Sequence, residues 1–127
     1  MLGCFLEETM TKQDADELGR RAVACKHFYW VQGMLSSHGR RVGVWIPGTV
    51  CGSSEPEPVW PDLDDPATLG CLLYLVREAW GAERASAWWG EANKEWVADV
   101  RGRDDRGPVF VKDTEAEALV AALEAAP

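Results

Sequence analysis

The sequence has little with which to do chemistry. It holds two histidines, His27 and His38, in 127 residues. No nucleophile elbow, Walker loop, dinucleotide-binding glycine fingerprint or zinc-protease motif is present. Long apolar runs are also missing: none approaches the ~18–20 residues of a spanning helix, which excludes a helical membrane-spanning protein. The apolar start Met1–Leu6 is followed at once by Glu7-Glu8 and preceded by no basic residue, too short a pattern for a signal peptide. A cytoplasmic protein is therefore expected. Positive charge is scarce as well, with 13 Lys and Arg against 21 Asp and Glu and a net charge of -8. That balance argues against general nucleic-acid binding and against an anionic membrane surface, since both need a positive field.

What is present is a soluble, core-forming composition. At 46% hydrophobic and 27% charged residues, the chain suits one domain and is neither disordered nor collagen-like. The acidity is uneven: residues 1–50 hold six Lys/Arg and five Asp/Glu, residues 51–127 seven and sixteen. An acidic C-terminal half fits a basic protein partner, or serves solubility alone. Four cysteines, Cys4, Cys25, Cys51 and Cys71, are read as free thiols, with Cys25 and Cys71 at apolar positions of helical patterns.

Local signals divide the chain into elements. Residues 1–9 read as an extension and residues 10–127 as one domain. Thr11 caps a helix over 12–25 in which Ala15, Leu18, Ala22 and Cys25 recur at helical spacing. His27–Val31 reads as a strand, Gly33–Gly39 as a turn and Arg41–Ile46 as a second strand, with Thr49–Cys51 a short third. Residues 52–66, rich in Gly, Ser, Pro and acids, read as an external loop. Asp65-Pro66 then opens a helix with the stripe Leu69, Leu72, Leu73, Val76 and Trp80, stopped by Gly81. Strands follow at 85–89, 95–101 and 109–112, the last two joined by the polar turn 102–107. Thr114-Glu115-Ala116-Glu117 is a capping box for a final helix whose core face is Leu119, Val120 and Leu123. The expected fold is α+β: a single domain, a largely antiparallel sheet and about three helices packed on it.

Three stretches carry a resemblance: TKQDADELGRRAVACKHFYWVQGMLSSHGRR (Thr11–Arg41), Pro61-Asp62-Leu63 with Asp65–Leu73, and TEAEALVAALEAAP (Thr114–Pro127). They resemble a group of small bacteriophage and prophage proteins. The helix–strands–helix section from residue 61 is similar to the phage ABA sandwich domain. The resemblance implies a phage accessory protein in the host cytoplasm, of the kind that manipulates or disarms host defences. It implies no catalytic residue.

Of the candidate functional side chains, the tryptophans are the most numerous: Trp30, Trp45, Trp60, Trp80, Trp88, Trp89 and Trp96. Trp favours both cores and recognition surfaces. Trp80 belongs to a helix stripe, whereas adjacent Trp88 and Trp89 must point to opposite faces of a strand. The pairs Arg20-Arg21 and Arg40-Arg41 come next. Arg20-Arg21 reads as the solvent side of the first helix. Arg40-Arg41 lies near Phe28, Tyr29 and Trp30, and guanidinium beside aromatic rings suits a phosphate and a base.

Other groupings are weaker. Cys25, His27, His38 and Cys51 have zinc-ligand chemistry at no common finger spacing, so no metal or cofactor is expected. Ser36-Ser37-His38 reads as turn chemistry, and Cys25 with His27 is equally unpersuasive as a nucleophile and base. Glu91, Glu95 and Asp99 would share a face only on a helix. Glu55, Glu57, Asp62, Asp64 and Asp65 could imitate a phosphate backbone, although Asp65 already has a capping role.

The sequence therefore points to a binding protein, not an enzyme, by one of two routes. In the first, Tyr29, Trp30, Arg40, Arg41, Trp45 and Trp88 hold a small anionic ligand such as a host signalling nucleotide, in a homo-oligomer with Trp at its interface. In the second, the acidic half docks on a basic face of a host defence protein. A small hydrolase without histidine chemistry is the third reading.

Overall fold

A computed structural model describes residues 11–43, 59–101 and 107–127. The element order is α1 (Lys12–Ala24), α2 (Pro66–Trp80), β1 (Ser86–Gly90), β2 (Glu95–Asp99), β3 (Val109–Lys112) and α3 (Glu115–Ala125). The strands form one antiparallel sheet in the order β1-β2-β3. The fold is a single α+β domain.

Each helix begins where a short polar side chain takes up an orphan backbone N–H. Thr11 Oγ1 accepts from Asp14 N–H (3.0 Å), Asp65 Oδ2 from Thr68 N–H (3.0 Å), and Thr114 Oγ1 from Glu117 N–H (3.1 Å). Thr114 Oγ1 also donates to Glu117 Oε1 (3.2 Å), tying the capping-box partners together. Pro66 holds the first turn of α2, and Gly81 ends it in the left-handed region at φ 63°. On α2 the buried face is Thr68, Leu72, Leu75 and Val76, while Leu69, Leu73 and Trp80 pack against the core part-buried.

Helix α3 is the centre of the molecule. Ala116, Ala118, Leu119, Val120, Ala122 and Leu123 are all buried. A helix buried over so much of its circumference must be covered on more than one side. Here α1 and α2 pack on one side and all three strands on the other. In the sheet, the register row Ala87–Ala98–Phe110 belongs to the core, and Phe110 lies 6.1 Å from the Trp80 ring. Trp80 Nε1 donates to Ala122 C=O (2.7 Å), which satisfies the polar end of a large, part-buried ring.

The expected strand over His27–Val31 does not form, and Arg41 makes only an isolated bridge to Leu35. A strand needs a neighbour for its ladder, and among the described residues 27–31 have none. The side chains still alternate: Phe28 and Trp30 pack on the core in a T-shaped pair with centroids 5.4 Å apart, and Tyr29 faces out. Residues 33–42 form a pinned loop, with Val42 N–H donating to Met34 C=O (2.8 Å) and Ser36 N–H to Arg40 C=O (2.7 Å). Met34 and Val42 are core residues.

Residues 59–66 are not wholly external, because Pro61 and Leu63 are buried. Asp62 N–H donates to Leu35 C=O (2.8 Å) and Ser37 N–H to Trp60 C=O (2.7 Å), so this segment closes the loop 33–42 from outside. The expected extension 1–9, strand residues 44–46 and 49–51, loop residues 52–58 and turn residues 102–106 lie outside the described residues.

Candidate functional site

Among the described residues, those expected to hold an anion do not come together. Arg41 is engaged within the protein: Nη1 donates to Asp65 Oδ2 (3.0 Å) and Nη2 to Asp65 Oδ1 (3.2 Å), while Nη1 also reaches Gly33 C=O (2.8 Å). The Nη1–Nη2 edge of Arg41 is thus filled by a carboxylate, and a phosphate enters that edge only by displacing Asp65. Asp65 is held below the usual carboxylate range, first by Arg41 and then by the hydroxyl and N–H of Thr68. Thr68 Oγ1 in turn accepts from Leu35 N–H (2.9 Å), so Arg41, Asp65 and Thr68 join the loop 33–42 to the start of α2. Arg40 is exposed on that loop; its N–H donates to Ser36 Oγ (3.1 Å). Trp30 is packed on Phe28, and Trp45 lies outside the described residues.

The other arginine pair is occupied as well. Arg21 grips Glu124 with Nε and Nη2 at 3.0 and 2.7 Å, joining α1 to α3. Arg20 lies over the Trp60 ring, 4.3 Å from its centroid. Both are exposed, as expected of that helix side, but each has a partner. On the sheet, Arg101 makes the same two-pronged contact with Asp99, at 3.0 and 2.8 Å.

The groupings for metal or nucleophile chemistry resolve into structure. Among the described residues no group of three His, Cys, Asp or Glu side chains is placed to hold a metal ion, and Cys51 lies outside them. Burial pushes the thiols of Cys25 and Cys71 up, away from the reactive thiolate. Ser36 Oγ accepts from the N–H groups of His38 (3.2 Å) and Arg40 (3.1 Å), the turn chemistry its context suggests. Glu95 and Asp99 fall on a strand, with Glu91 in the turn before it, bonded to Lys94.

Two surface features remain, and the first is the outer face of the sheet. Alternation along each strand sends Ala87, Trp89, Trp96, Ala98 and Phe110 toward the helices. The opposite face carries the row Trp88–Val97–Val111 and, one step along, Val109 opposite Asp99. Trp88, Val109 and Val111 are 44%, 41% and 43% exposed, whereas Val97 between its neighbours is 8% exposed. A Cβ at Gly90 would stand 3.6 Å from Trp88 Cζ3 and 3.9 Å from Val97 Cγ2, so the indole leans along this same face. Among the described residues, Trp88 is thus the expected site residue that lies beside exposed valines on one sheet face. Adjacent-Trp reasoning anticipated that Trp88 and Trp89 point to opposite faces but not which of them faces out; the valines beside Trp88 depend on strand register and were missed.

The second feature surrounds Tyr29. Its hydroxyl donates to Glu78 Oε1 (2.6 Å), and that of Tyr74 to Glu78 Oε2 (2.7 Å). The two hydroxyls hold the Glu78 carboxyl below its usual range, and the carboxylate in turn pushes the Tyr29 phenol up. Tyr29 and Glu78 line an open depression of about 450 Å³ together with Lys26, His27, Phe28, Leu75 and Ala79. Tyr29 therefore faces a carboxylate and not Arg41, and Glu78 and Tyr74 carried no sequence signal. Compared with known proteins, the chain matches no family model, curated protein or solved structure. No described helix is long and apolar enough to cross a membrane.

Proposed function

We propose that this chain acts by binding, and that the outer face of β1–β3 is the surface with which it binds a protein partner. The observation that carries the proposal is the exposed row Trp88–Val97–Val111 with Val109, on the sheet face opposite α3. An antiparallel sheet with one face solvated ordinarily alternates apolar-in and polar-out, whereas the solvated face here carries Trp88, Val97, Val109 and Val111 together, bordered by Ser86, Glu95 and Asp99. Exposed aromatic and aliphatic side chains in one patch form the centre of an interface, with polar groups as its rim. Standard interfaces bury about 800 Å² per partner, so the patch is the middle of a larger contact.

Charge selects the kind of partner. The chain carries -8 overall, and Arg21, Arg41 and Arg101 are matched to carboxylates of its own. A second copy would meet it with like charge, whereas a protein with a basic rim is attracted. This favours the docking route over capture of a small anion, because the Asp65 carboxylate already offsets the Arg41 charge that such a ligand would use. The resemblance to phage proteins makes the partner a host protein, and blocking a basic working surface is the mode of action such contact allows.

The test is site-specific photo-crosslinking in host-cell extract, with the crosslinker at Val109 on the outer sheet face or at Gln13 on exposed α1. A discrete adduct from position 109 alone, with a basic protein, is expected. Its yield should fall as salt rises from about 0.1 to 1 M and the Debye length shrinks from ~10 to ~3 Å. Val111→Lys should remove the adduct without altering the melting temperature. Equal adducts from both positions, an acidic captured protein, or no adduct at all would overturn the proposal.

A further inference from the structure

The Tyr29–Glu78–Tyr74 group is built on α2 and the segment after α1, not on the sheet, and the docking proposal makes no use of it. Its chemistry is defined by where its protons are. Each phenol has one donor hydrogen, and both are directed to Glu78, at 2.6 and 2.7 Å. What the group presents outward is therefore lone pairs only: the remaining ones on two phenol oxygens and on both carboxylate oxygens. Tyr29 and Tyr74 are each 46% exposed, so these acceptors are at the surface. Glu78 stays ionised because both hydroxyls favour the charged form.

From this arrangement we infer that Tyr29, Glu78 and Tyr74 form a receptor for an organic cation, an alkylammonium or guanidinium group joined to an apolar body. The head supplies donors to an all-acceptor surface and charge to Glu78. The phenol rings offer their negative faces to the same charge. The apolar body has a place in the depression of about 450 Å³ that Tyr29 and Glu78 line, against Phe28 and Ala79. Phe28 and Ala79 are part-buried against the core, which fixes their positions, and the spacing of Tyr74 and Glu78 by four residues on α2 holds both on one helix face. Lys26 in the same lining has the sign of the ligand and lowers its affinity.

The like charge of Lys26 makes the proposal testable by opposite changes in two variants. Binding of phenethylammonium, and separately of an acetylated Gly-Lys-Gly amide, is followed by the amide NMR shifts of Tyr29, Glu78 and Ala79. Saturable shifts are expected, with affinity reduced about tenfold or more in Glu78→Gln and raised in Lys26→Ala. Tyr74→Phe, which frees one carboxylate oxygen but removes a phenol acceptor, should weaken binding less than Glu78→Gln. Binding of phenethylammonium alone assigns the site to free small cations, and binding of the peptide to a basic side chain of another protein; either supports the receptor. Three outcomes would overturn it: shifts in neither titration, unchanged affinity in Glu78→Gln, or stronger binding of the anion phenylpropionate that Lys26→Ala abolishes. Because none of these variants touches Trp88, Val109 or Val111, failure here leaves the sheet-face proposal standing, and the reverse also holds.

Discussion

Gly19 is the tightest point in the helical layer. A Cβ there would lie 2.6 Å from Trp60 Cδ1 and 2.7 Å from the Pro61 carbonyl oxygen, both inside any real contact. Trp60 is held against α1 by three neighbours: its Nε1 donates to Asp16 Oδ1 (3.2 Å), Arg20 covers its ring, and Gly19 leaves room for its edge. Alanine at a helix interior is ordinarily worth about 1 kcal/mol over glycine. Here the obstruction includes backbone, which cannot swing aside as a side chain can. Gly19→Ala should therefore lower stability by about 1–3 kcal/mol, read from denaturant midpoints at constant slope. A raised midpoint would mean that residues 60–61 yield without cost. Nothing in the helical pattern around Gly19 announces this role, because the clash partner is some forty positions away in the chain.

At the scale of elements, the helix boundaries were legible because their signals are local. Thr11, Asp65-Pro66, Gly81 and Thr114 act on backbone groups within one turn of themselves. The strands at 86–90, 95–99 and 109–112 were legible from residue type and turn spacing. The aromatic run at 28–30 misled in the other direction: β-propensity describes fit to a pleated, half-buried surface, and among the described residues no neighbouring strand supplies that surface. How closely α3 approaches the sheet is set by small side chains, Ala87 and Ala98 on the strands and Ala116, Ala118 and Ala122 on the helix. Ala98 is 1% exposed in the central strand, so Ala98→Leu has no space to enter. Its overpacking should cost about 1–3 kcal/mol, measured by thermal unfolding, whereas exposed Val109→Leu should change little. Equal effects of the two would contradict the placement of α3 on the Ala98 side.

For the whole molecule, the pattern of charges makes stability depend on acidity. Arg41, Arg101 and Arg21 hold Asp65, Asp99 and Glu124 below the ordinary carboxylate range. A carboxyl depressed in the folded state contributes fully above its unfolded pKa of about 4 and loses that contribution as pH falls through the depressed value. Glu115 and Asp64 run the other way: burial raises both, Asp62 adding to the effect on Asp64, so their protonation favours the folded state on acidification. Among the described residues the depressed groups are the more numerous, and two of the three, Asp65 and Glu124, tie together parts of the chain distant in sequence. Denaturant midpoints measured at pH 7, 5 and 3 should stay level to about pH 5 and fall by pH 3, and Asp65→Asn should flatten that fall. A midpoint unchanged at pH 3 in the parent protein would show that these half-exposed pairs add nothing net.

By itself, the sequence determined the fold class, the three helices with their caps, the sheet strands of the C-terminal half and the acidic balance. These rest on interactions between residues a few positions apart or on composition, and both are readable in one dimension. Tertiary structure decided which charges and faces remain for a partner. Arg41 meets Asp65 across 24 positions, Tyr29 meets Glu78 across 49, and Arg21 meets Glu124 across 103. Each of these pairings depends on which surfaces the core has already brought together, and no local propensity encodes that. The outer row Trp88–Val97–Val111 has the same origin, since strand register and the one-sided packing of α3 together leave it in solvent.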